Sequence, residues 1–307
     1  MTAGVTTRAA VPYSVPTEFI AAVRLKTQVG SVMRNLIFHD ELPEGEGPIY
    51  ELTELARVTA YALTEGVDMA QAQQITDAHL EVTPAEYGAQ VFISDLAKGQ
   101  ITRRTNLMRM AGQILGQAFV TKEDVDLISL MDGFGVALGG AGTALVPGYI
   151  MAAGAAIKGG GQTAATAITA GTQEPGPDPI QGVFTSAQMH AVRKAIALGT
   201  ITTSGVVQPR SDLADAVLKG ASVGKIGDVN VYLDDNIGKD SSDDAKGGVF
   251  SKQALVHIGF AGGPKMEPER DASMRGTELN IVGIYGTGEW KDAWGREMLF
   301  DAAAPTS

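Results

Sequence analysis

The sequence predicts an α+β fold with one long amphipathic helix and several strands. From Leu107 to Ala118, apolar residues recur at positions i, i+3, i+4, i+7 and i+8, the pattern of one helical face. From 87 to 93, apolar residues occupy every second position, as in a strand with one buried side. Strand-like runs separated by turn residues follow at 229–233, 249–260 and 279–286. These segments together predict a mixed architecture.

The first third of the chain is predicted to contain a mobile arm and an extended hairpin. Residues 1 to about 15 are polar and punctuated by proline, and a short helix is predicted from Thr17 to about Val29. Between Ile49 and Ile93, two strand-like limbs flank a turn-rich tip at 64–74. This pattern predicts a long hairpin with no obvious core of its own.

Shorter signals predict further helices. Thr121 with Asp124 is a weak capping signal for a second helical stretch after residue 118. Thr185 as N-cap, with Gln188 three residues later, predicts a helix on which apolar residues share one face. A smaller helix is predicted from Ser211 to Leu218.

One uncharged stretch imitates a membrane span. No charged residue occurs from Gly133 to Ile157, a length that would cross a bilayer. The stretch contains seven glycines and Pro147, and in a helix interior glycine costs roughly 1 kcal/mol and proline roughly 3 kcal/mol relative to alanine. We therefore predict a closely packed region of loops and strands, and no membrane partner. The N-terminus lacks the apolar stretch of a signal peptide.

Composition excludes several classes of protein. The 307 residues include 35 acidic and 24 basic side chains, giving a formal charge of −11, with 44% apolar residues. Such a balance excludes a disordered acidic tail and argues against a protein that coats nucleic acid, because phosphate neutralisation needs clustered Lys and Arg. The absence of cysteine excludes disulfides, thiolate metal sites and cysteine nucleophiles.

One motif suggests nucleophilic catalysis. Residues 220–224 match the G-x-S-x-G pattern of serine hydrolases around Ser222, and Asp234, Asp235 and His257 follow in hydrolase order. That motif requires a strand before the serine and a helix after it. Here a predicted helix precedes and a strand follows, so a turn from helix to strand is favoured and a hydrolase is kept only as an alternative.

No cofactor or metal site is predicted. The glycines of 133–139 have the wrong spacing for a dinucleotide fingerprint, and the four histidines never stand at zinc-ligand spacing. Five aspartates in the loop 234–244 lack the ordered spacing of a calcium loop, so a solvated acidic loop is favoured and cation binding is left open. With no catalytic constellation remaining, segments that cannot bury themselves indicate assembly with copies of the chain.

The order of elements resembles the tailed-phage major capsid protein family, whose shells use the HK97-like coat fold. The resemblance is carried by the hairpin through Leu63-Thr64-Glu65-Gly66 and by its return limb VTPAEYGAQVFISDLA at 82–97. It is also carried by the strand and loop KIGDVNVYLDDNI at 225–237 and by the closing block at 249–290. It implies an N-terminal arm at 1–45, an extended loop with lead-in strand at 46–97, a peripheral domain at 98–145 and 245–307, and an axial domain at 146–244.

This resemblance implies a structural protein, not an enzyme. The chain would assemble as hexamers and pentamers into an icosahedral shell in the bacterial host cytoplasm, and would remain in the virion around double-stranded DNA without sequence-specific binding. A portal and cement proteins are possible partners. A separate scaffolding protein is implied because no long, charged, helical segment stands at the N-terminus. The alternative within this fold is an encapsulin-like nanocompartment shell.

Charge and lysine content refine this picture. Residues 45–97 contain no lysine, so the covalent crosslinking that some family members perform from this loop is not expected. The same residues carry nine carboxylates and one arginine. We hypothesise that the hairpin lies across a neighbouring subunit's long helix, where opposite charges meet. The candidate contact residues are Glu65, Asp68, Asp77, Glu81, Arg103, Arg104 and Arg109.

Overall fold

The computed structural model describes residues 5–6, 31–43, 49–66, 68, 72–100, 104–161, 173–198, 224–260 and 263–305. The predicted helices at 17–29 and 211–218 lie outside the described residues, as does Ser222.

The first half of the described chain contains the extended hairpin and the longest helix. A 3-10 turn at Met33–Asn35 precedes the second strand, and another at Leu130–Gly133 follows the long helix. In chain order the elements are β1 (Val5–Thr6), β2 (Phe38–Leu42), β3 (Tyr50–Leu55), β4 (Asp77–Val82), β5 (Ala85–Ser94), α1 (Asp95–Gln100), α2 (Arg104–Ser129), β6 (Ala137–Gly139) and α3 (Pro147–Lys158).

The second half is mostly strands. A 3-10 turn at Asp292–Trp294 precedes the last of them. The elements are β7 (Ile180–Phe184), α4 (Ser186–Leu198), β8 (Lys225–Ile226), β9 (Val229–Leu233), β10 (Asp244–Ser251), β11 (Leu255–Phe260), β12 (Lys265–Asp271), β13 (Gly276–Glu289) and β14 (Gly295–Asp301).

The strands form two larger sheets and one hairpin. The first sheet has the order β1-β5-β13-β11-β2, and β12 pairs with β13; the second has the order β6-β14-β10-β7-β9-β8. The extended hairpin is β3 paired antiparallel with β4, with Tyr50 opposite Val82 and Leu55 opposite Asp77. The α+β class, the hairpin and the long helix predicted from the sequence are all present.

Helix α2 packs its apolar face on the first sheet. Ala111, Leu115 and Phe119 are buried against Leu279, Ile281 and Tyr285 of β13. The spacing of the three helical residues is the i, i+4, i+8 pattern on which the prediction rests. The second predicted helical stretch is a continuation of α2, because no glycine or proline stands between Ala118 and Thr121 to end it.

The second sheet is covered by α3 and α4. Ile150, Ala153 and Ile157 of α3 are fully buried in the same core as Val229 and Phe300. The prediction of loops and strands for this small-residue region is therefore wrong for 147–158. Pro147 stands at the start of the helix, where its missing N–H costs nothing, and alanines then favour helix.

Helix α4 is confirmed together with its cap. The Gln188 N–H donates to the Thr185 hydroxyl at 3.2 Å, and the Thr185 N–H donates to Gln188 Oε1 at 3.2 Å. This reciprocal pair is the capping box that the sequence predicts.

The pairing of strands crosses the predicted domain boundary at residue 245. Strands β10 and β14, which lie within the segment assigned to the peripheral domain, pair with each other and join β7 and β9 in the second sheet. Both strands are buried on both sides, so they require partners that the first sheet does not supply.

The stretch from Gly133 to Ile157 is divided between β6, a turn and α3. No helix within the described ranges combines the length and apolar content needed to cross a membrane.

Gly139 offers a test of the second sheet's packing. Its φ is +96°, and a Cβ added there would lie 2.5 Å from Phe300 Cζ. We expect Gly139→Ala to lower the free energy of unfolding by about 3 kcal/mol, because backbone strain and overpacking add. Urea denaturation measures the change. Gly142→Ala is the matched control, since its φ is +69° with nothing within 4 Å, and should cost about 1 kcal/mol. Equal losses would contradict the packing argument.

Candidate assembly surfaces and the α2 anchor

The predicted contact residues of the hairpin lie on its surface. Glu65, Asp68, Asp77 and Glu81 are all exposed. Of the three arginines, Arg109 is exposed on α2, Arg104 begins that helix with its side chain outside the described part, and Arg103 is not among the described residues.

The hairpin also exposes large apolar side chains, which sequence reasoning based on charge did not single out. Five of them are between 53% and 67% exposed: Leu55, Val58, Tyr61, Leu63 and Ile75. Isolated exposed apolar residues are common, but such a concentration on one extended element is typical of a surface that another molecule covers. The signal in the sequence was the presence of these residues in limbs with no predicted core.

The base of the hairpin is packed against the first sheet. Leu52 and Val82 are buried with Leu42, Val256 and Ile258. The expectation that the hairpin has no core of its own therefore holds for its outer part, whereas its base shares the core of β2 and β11.

Polar contacts fix the direction in which the hairpin leaves the body. Lys291 Nζ lies 2.6 Å from Glu54 Oε1 and 2.6 Å from Glu174 Oε2. Burial disfavours the charged lysine, but hydrogen bonds to the two carboxylates outweigh it and raise the pKa of Lys291. Arg57 adds a hydrogen bond from Nη1 to the carbonyl of Gln173 at 2.7 Å.

Two consecutive carboxylates of α2 bind the segment that precedes the hairpin. Asp124 is fully buried, and its Oδ1 accepts hydrogen bonds from the Ser31 hydroxyl at 2.8 Å and from the N–H groups of Val32 and Met33 at 3.0 Å. Its Oδ2 accepts from Asn236 Nδ2 at 2.8 Å. A buried carboxylate is stable only with such donors, so Asp124 joins the N-terminal segment to the loop after β9.

Glu123 makes the second half of this contact. It is buried, and its Oε1 lies 2.5 Å from His257 Nε2 of β11 and 3.5 Å from Arg34 Nη1. His257 Nδ1 in turn lies 2.8 Å from His39 Nδ1 of β2. We call Glu123 and Asp124 with these partners the α2 anchor.

Asp234 extends the anchor with a third buried carboxyl group. Its Oδ1 accepts from the Asn236 N–H at 2.9 Å, while its buried Oδ2 has no donor. Burial and the neighbouring Asp124 raise the pKa of Asp234 to about 7. A proton on Oδ2 would satisfy this atom, because the carboxyl could then donate to Asp124.

Two of the three residues that follow Ser222 in hydrolase order, Asp234 and His257, belong to the α2 anchor. His257 is buried with both ring nitrogens facing other side chains, and Asp234 faces Asp124. Asp235 Oδ1 accepts from the Ser186 N–H at 2.7 Å at the start of α4. Because Nδ1 of His257 lies 2.8 Å from His39 and Nε2 lies 2.5 Å from Glu123, neither ring nitrogen is open to an approaching serine hydroxyl.

The acidic loop is held by internal hydrogen bonds. Asp240 Oδ1 accepts from the N–H groups of Ser242 and Asp244, and Asp244 Oδ1 accepts from the Gly142 N–H. Within the part of the chain that the structure describes, no group of three or more histidine or acidic residues has the arrangement needed to hold a metal ion.

The sheet order, the long helix across the first sheet and the projecting hairpin define the HK97-like coat fold, as predicted. The capsid of Ralstonia phage GP4 has a TM-score of 0.69 and 16% identity, covering 95% of this chain and 96% of that chain. The head structure of Helicobacter pylori bacteriophage KHP40 has a TM-score of 0.68 and 11% identity, covering 98% and 100%. Mycobacterium phage Che8 has a TM-score of 0.66 and 14% identity, covering 95% and 98%. No family model and no curated protein matches the sequence.

The α2 anchor gives a stability prediction. Asp124→Asn removes the charge that four donors share and places an amide N–H₂ against some of them, so we expect unfolding free energy to fall by about 2–4 kcal/mol. Urea denaturation measures the loss, and deuterium exchange should rise at Val32 and Met33.

The matched control is Asp132→Asn. Asp132 is an exposed partner of Lys246, and loss of an exposed pair should change stability by no more than about 0.5 kcal/mol. If both variants lose the same stability, the anchor does not have the role that its geometry indicates.

Proposed function

We propose that this chain is the major capsid protein of a tailed bacteriophage, a structural protein that assembles as hexamers and pentamers into an icosahedral shell. The observation that carries the proposal is a likeness to phage capsid structures that covers almost the whole of both chains. A likeness of that extent leaves little of this chain for a separate catalytic domain. The burial of His257 and Asp234, both 1% exposed, also supports a role that is not enzymatic.

The domains of the family are assigned here by sheet rather than by sequence range. The first sheet with α2 forms the peripheral domain, and the second sheet with α3 and α4 forms the axial domain. Residues 1–45 remain the N-terminal arm and 46–97 the extended loop with its lead-in strand. Because β10 and β14 pair with β7, they are grouped with the axial domain.

The hairpin is the element by which one copy holds another. Its outer part exposes apolar side chains that a neighbouring subunit would cover. Burial of apolar surface stabilises a contact by roughly 25 cal/mol per Å². Its carboxylates would meet Arg103, Arg104 and Arg109 of the neighbouring copy. Exposed ion pairs contribute only about 0–1 kcal/mol each, so burial supplies affinity and charge supplies register.

The subunits of the shell are joined by non-covalent contacts, and the shell encloses DNA without binding it tightly. No lysine occurs in 45–97, which leaves the hairpin without the nucleophile for an isopeptide bond. A net charge of −11 suits a container that must not bind phosphate tightly. On this proposal a separate scaffolding protein directs assembly in the bacterial cytoplasm and a portal completes the virion, whereas the presence of cement proteins is left open.

Sedimentation velocity of the purified chain, over a range of concentration and salt and with its scaffolding protein, tests the proposal. We expect pentamers, hexamers or shell-sized particles that survive as non-covalent assemblies. Mass spectrometry of the particles separates a phage shell, with DNA and tail proteins, from an encapsulin-like compartment with a cargo enzyme. A 32 kDa monomer under every condition would contradict a coat function.

Charge reversal tests the partner surface. We expect changing Arg103, Arg104 and Arg109 to Glu to prevent assembly, because like charges would then meet the hairpin, while the far-ultraviolet circular dichroism of the folded chain stays unchanged. Changing Glu65, Asp68, Asp77 and Glu81 to Lys in the same chain should restore particles. Normal assembly by the triple arginine variant would exclude this pairing.

A further inference from the structure

The His39–His257 pair joins the N-terminal segment to the body of the fold. Strand β2 is the edge strand of the first sheet and pairs in parallel with β11, where His39 stands opposite His257. The two rings stack at 4.9 Å, and their Nδ1 atoms are 2.8 Å apart. His257 is buried, whereas His39 is exposed to solvent.

The neighbours of the pair limit how many protons it holds. Ionised Glu123 only accepts hydrogen bonds, so the His257 Nε2 that faces it carries a proton. In the neutral pair, His257 Nδ1 therefore accepts from the N–H at His39 Nδ1. Protonation of both rings would place two N–H groups against each other at this 2.8 Å contact, with two positive charges side by side.

We propose that the His39–His257 pair is an acid-sensitive joint, in which protonation of both rings separates β2 from β11 and releases the segment at 31–42. The proposal concerns this chain's own fold and does not depend on the proposed capsid function.

Charged groups from several elements face the joint. Partial burial of the His39 ring, followed by His257 and Arg34, lowers the pKa of His39, and Glu41 and Glu123 oppose this effect. Tyr285 of β13 stacks on His257 at 5.6 Å and donates to Asp126 Oδ2 at 2.7 Å. Folding lowers the pKa of His39, so its contribution to stability is present above pH 6.5, the ordinary pKa. This contribution is lost as the pH falls towards the pKa of the folded state.

Asp234 acts in the opposite direction on the same anchor. Its pKa is raised from 3.8 to about 7, so its contribution is fully present below 3.8 and is lost as the pH rises through 7. In mildly acidic solution, a fall in pH therefore lowers the stability contributed by His39 and raises the stability contributed by Asp234. A variant of each residue is therefore needed to isolate the joint.

The experiment compares deuterium exchange of the β2 amides in the wild-type 307-residue chain and in His39→Asn, from about pH 5 to about pH 8. Asparagine keeps a donor near the Nδ1 position but does not titrate. After correction for intrinsic exchange, the ratio of wild-type to variant protection should fall by up to about tenfold per pH unit below the ordinary histidine pKa. In the Asp234→Asn variant that keeps His39, protection of the β2 amides should itself fall at acidic pH, because the opposing contribution of Asp234 has been removed.

His79→Asn is the matched control, because His79 is exposed on β4 and pairs only locally with Glu81. The ratio of wild-type to His79→Asn protection should not change with pH. A constant ratio for His39→Asn would overturn the proposal, even if that variant loosens β2 uniformly. So would an equal acid loss at β10, because the effect would then be global unfolding.

Discussion

Two adjacent carboxylates on α2, Glu123 and Asp124, are buried, and the described segments of the fold that pack around them must supply their partners. Ionised groups removed from water require compensating donors and charges. Asp124 obtains them from the backbone at 32–33 and from Asn236, whereas Glu123 faces His257 and Arg34. The N-terminal segment, the first sheet and the loop leading from the second sheet are thereby brought to one position on α2.

The outer hairpin is the opposite case, in which the chain leaves apolar surface without an internal partner. Its base is fixed by a shared core with β2 and β11 and by the contacts of Lys291 with Glu54 and Glu174. Its outer part exposes apolar and acidic side chains to solvent. A rigid base with an unsatisfied outer surface suits an element that reaches another copy of the chain, and the anchor holds the β2 edge from which this element departs.

The two sites respond to their surroundings in different ways. The hairpin surface is exposed, so the ion pairs proposed there would be screened by salt, and apolar contacts would dominate. The anchor is buried, so its titratable groups are sensitive to protonation rather than to salt.

Local patterns in the sequence determined α2, the hairpin limbs and the capping box of α4, because each depends on residues a few positions apart. The face of α2 marked by Ala111, Leu115 and Phe119 is buried as its period requires. The charged hairpin residues were also identifiable, since an extended loop without a core leaves them exposed. Helix α3 forms where the glycine content predicts loops and strands, because Pro147 stands in the first turn and the alanines that follow favour helix.

Only the tertiary structure decided which polar residues are buried together. His39 and His257 are 218 positions apart and meet through the parallel register of β2 and β11, a pairing that no periodicity within either strand reveals. Glu123 and Asp124 have the sequence appearance of a solvated helical face, and they become buried because segments from three other parts of the chain cover them. The sequence determined α2, α4 and the hairpin limbs, since those depend on local backbone preferences. The long-range packing of those segments determined where charge is enclosed.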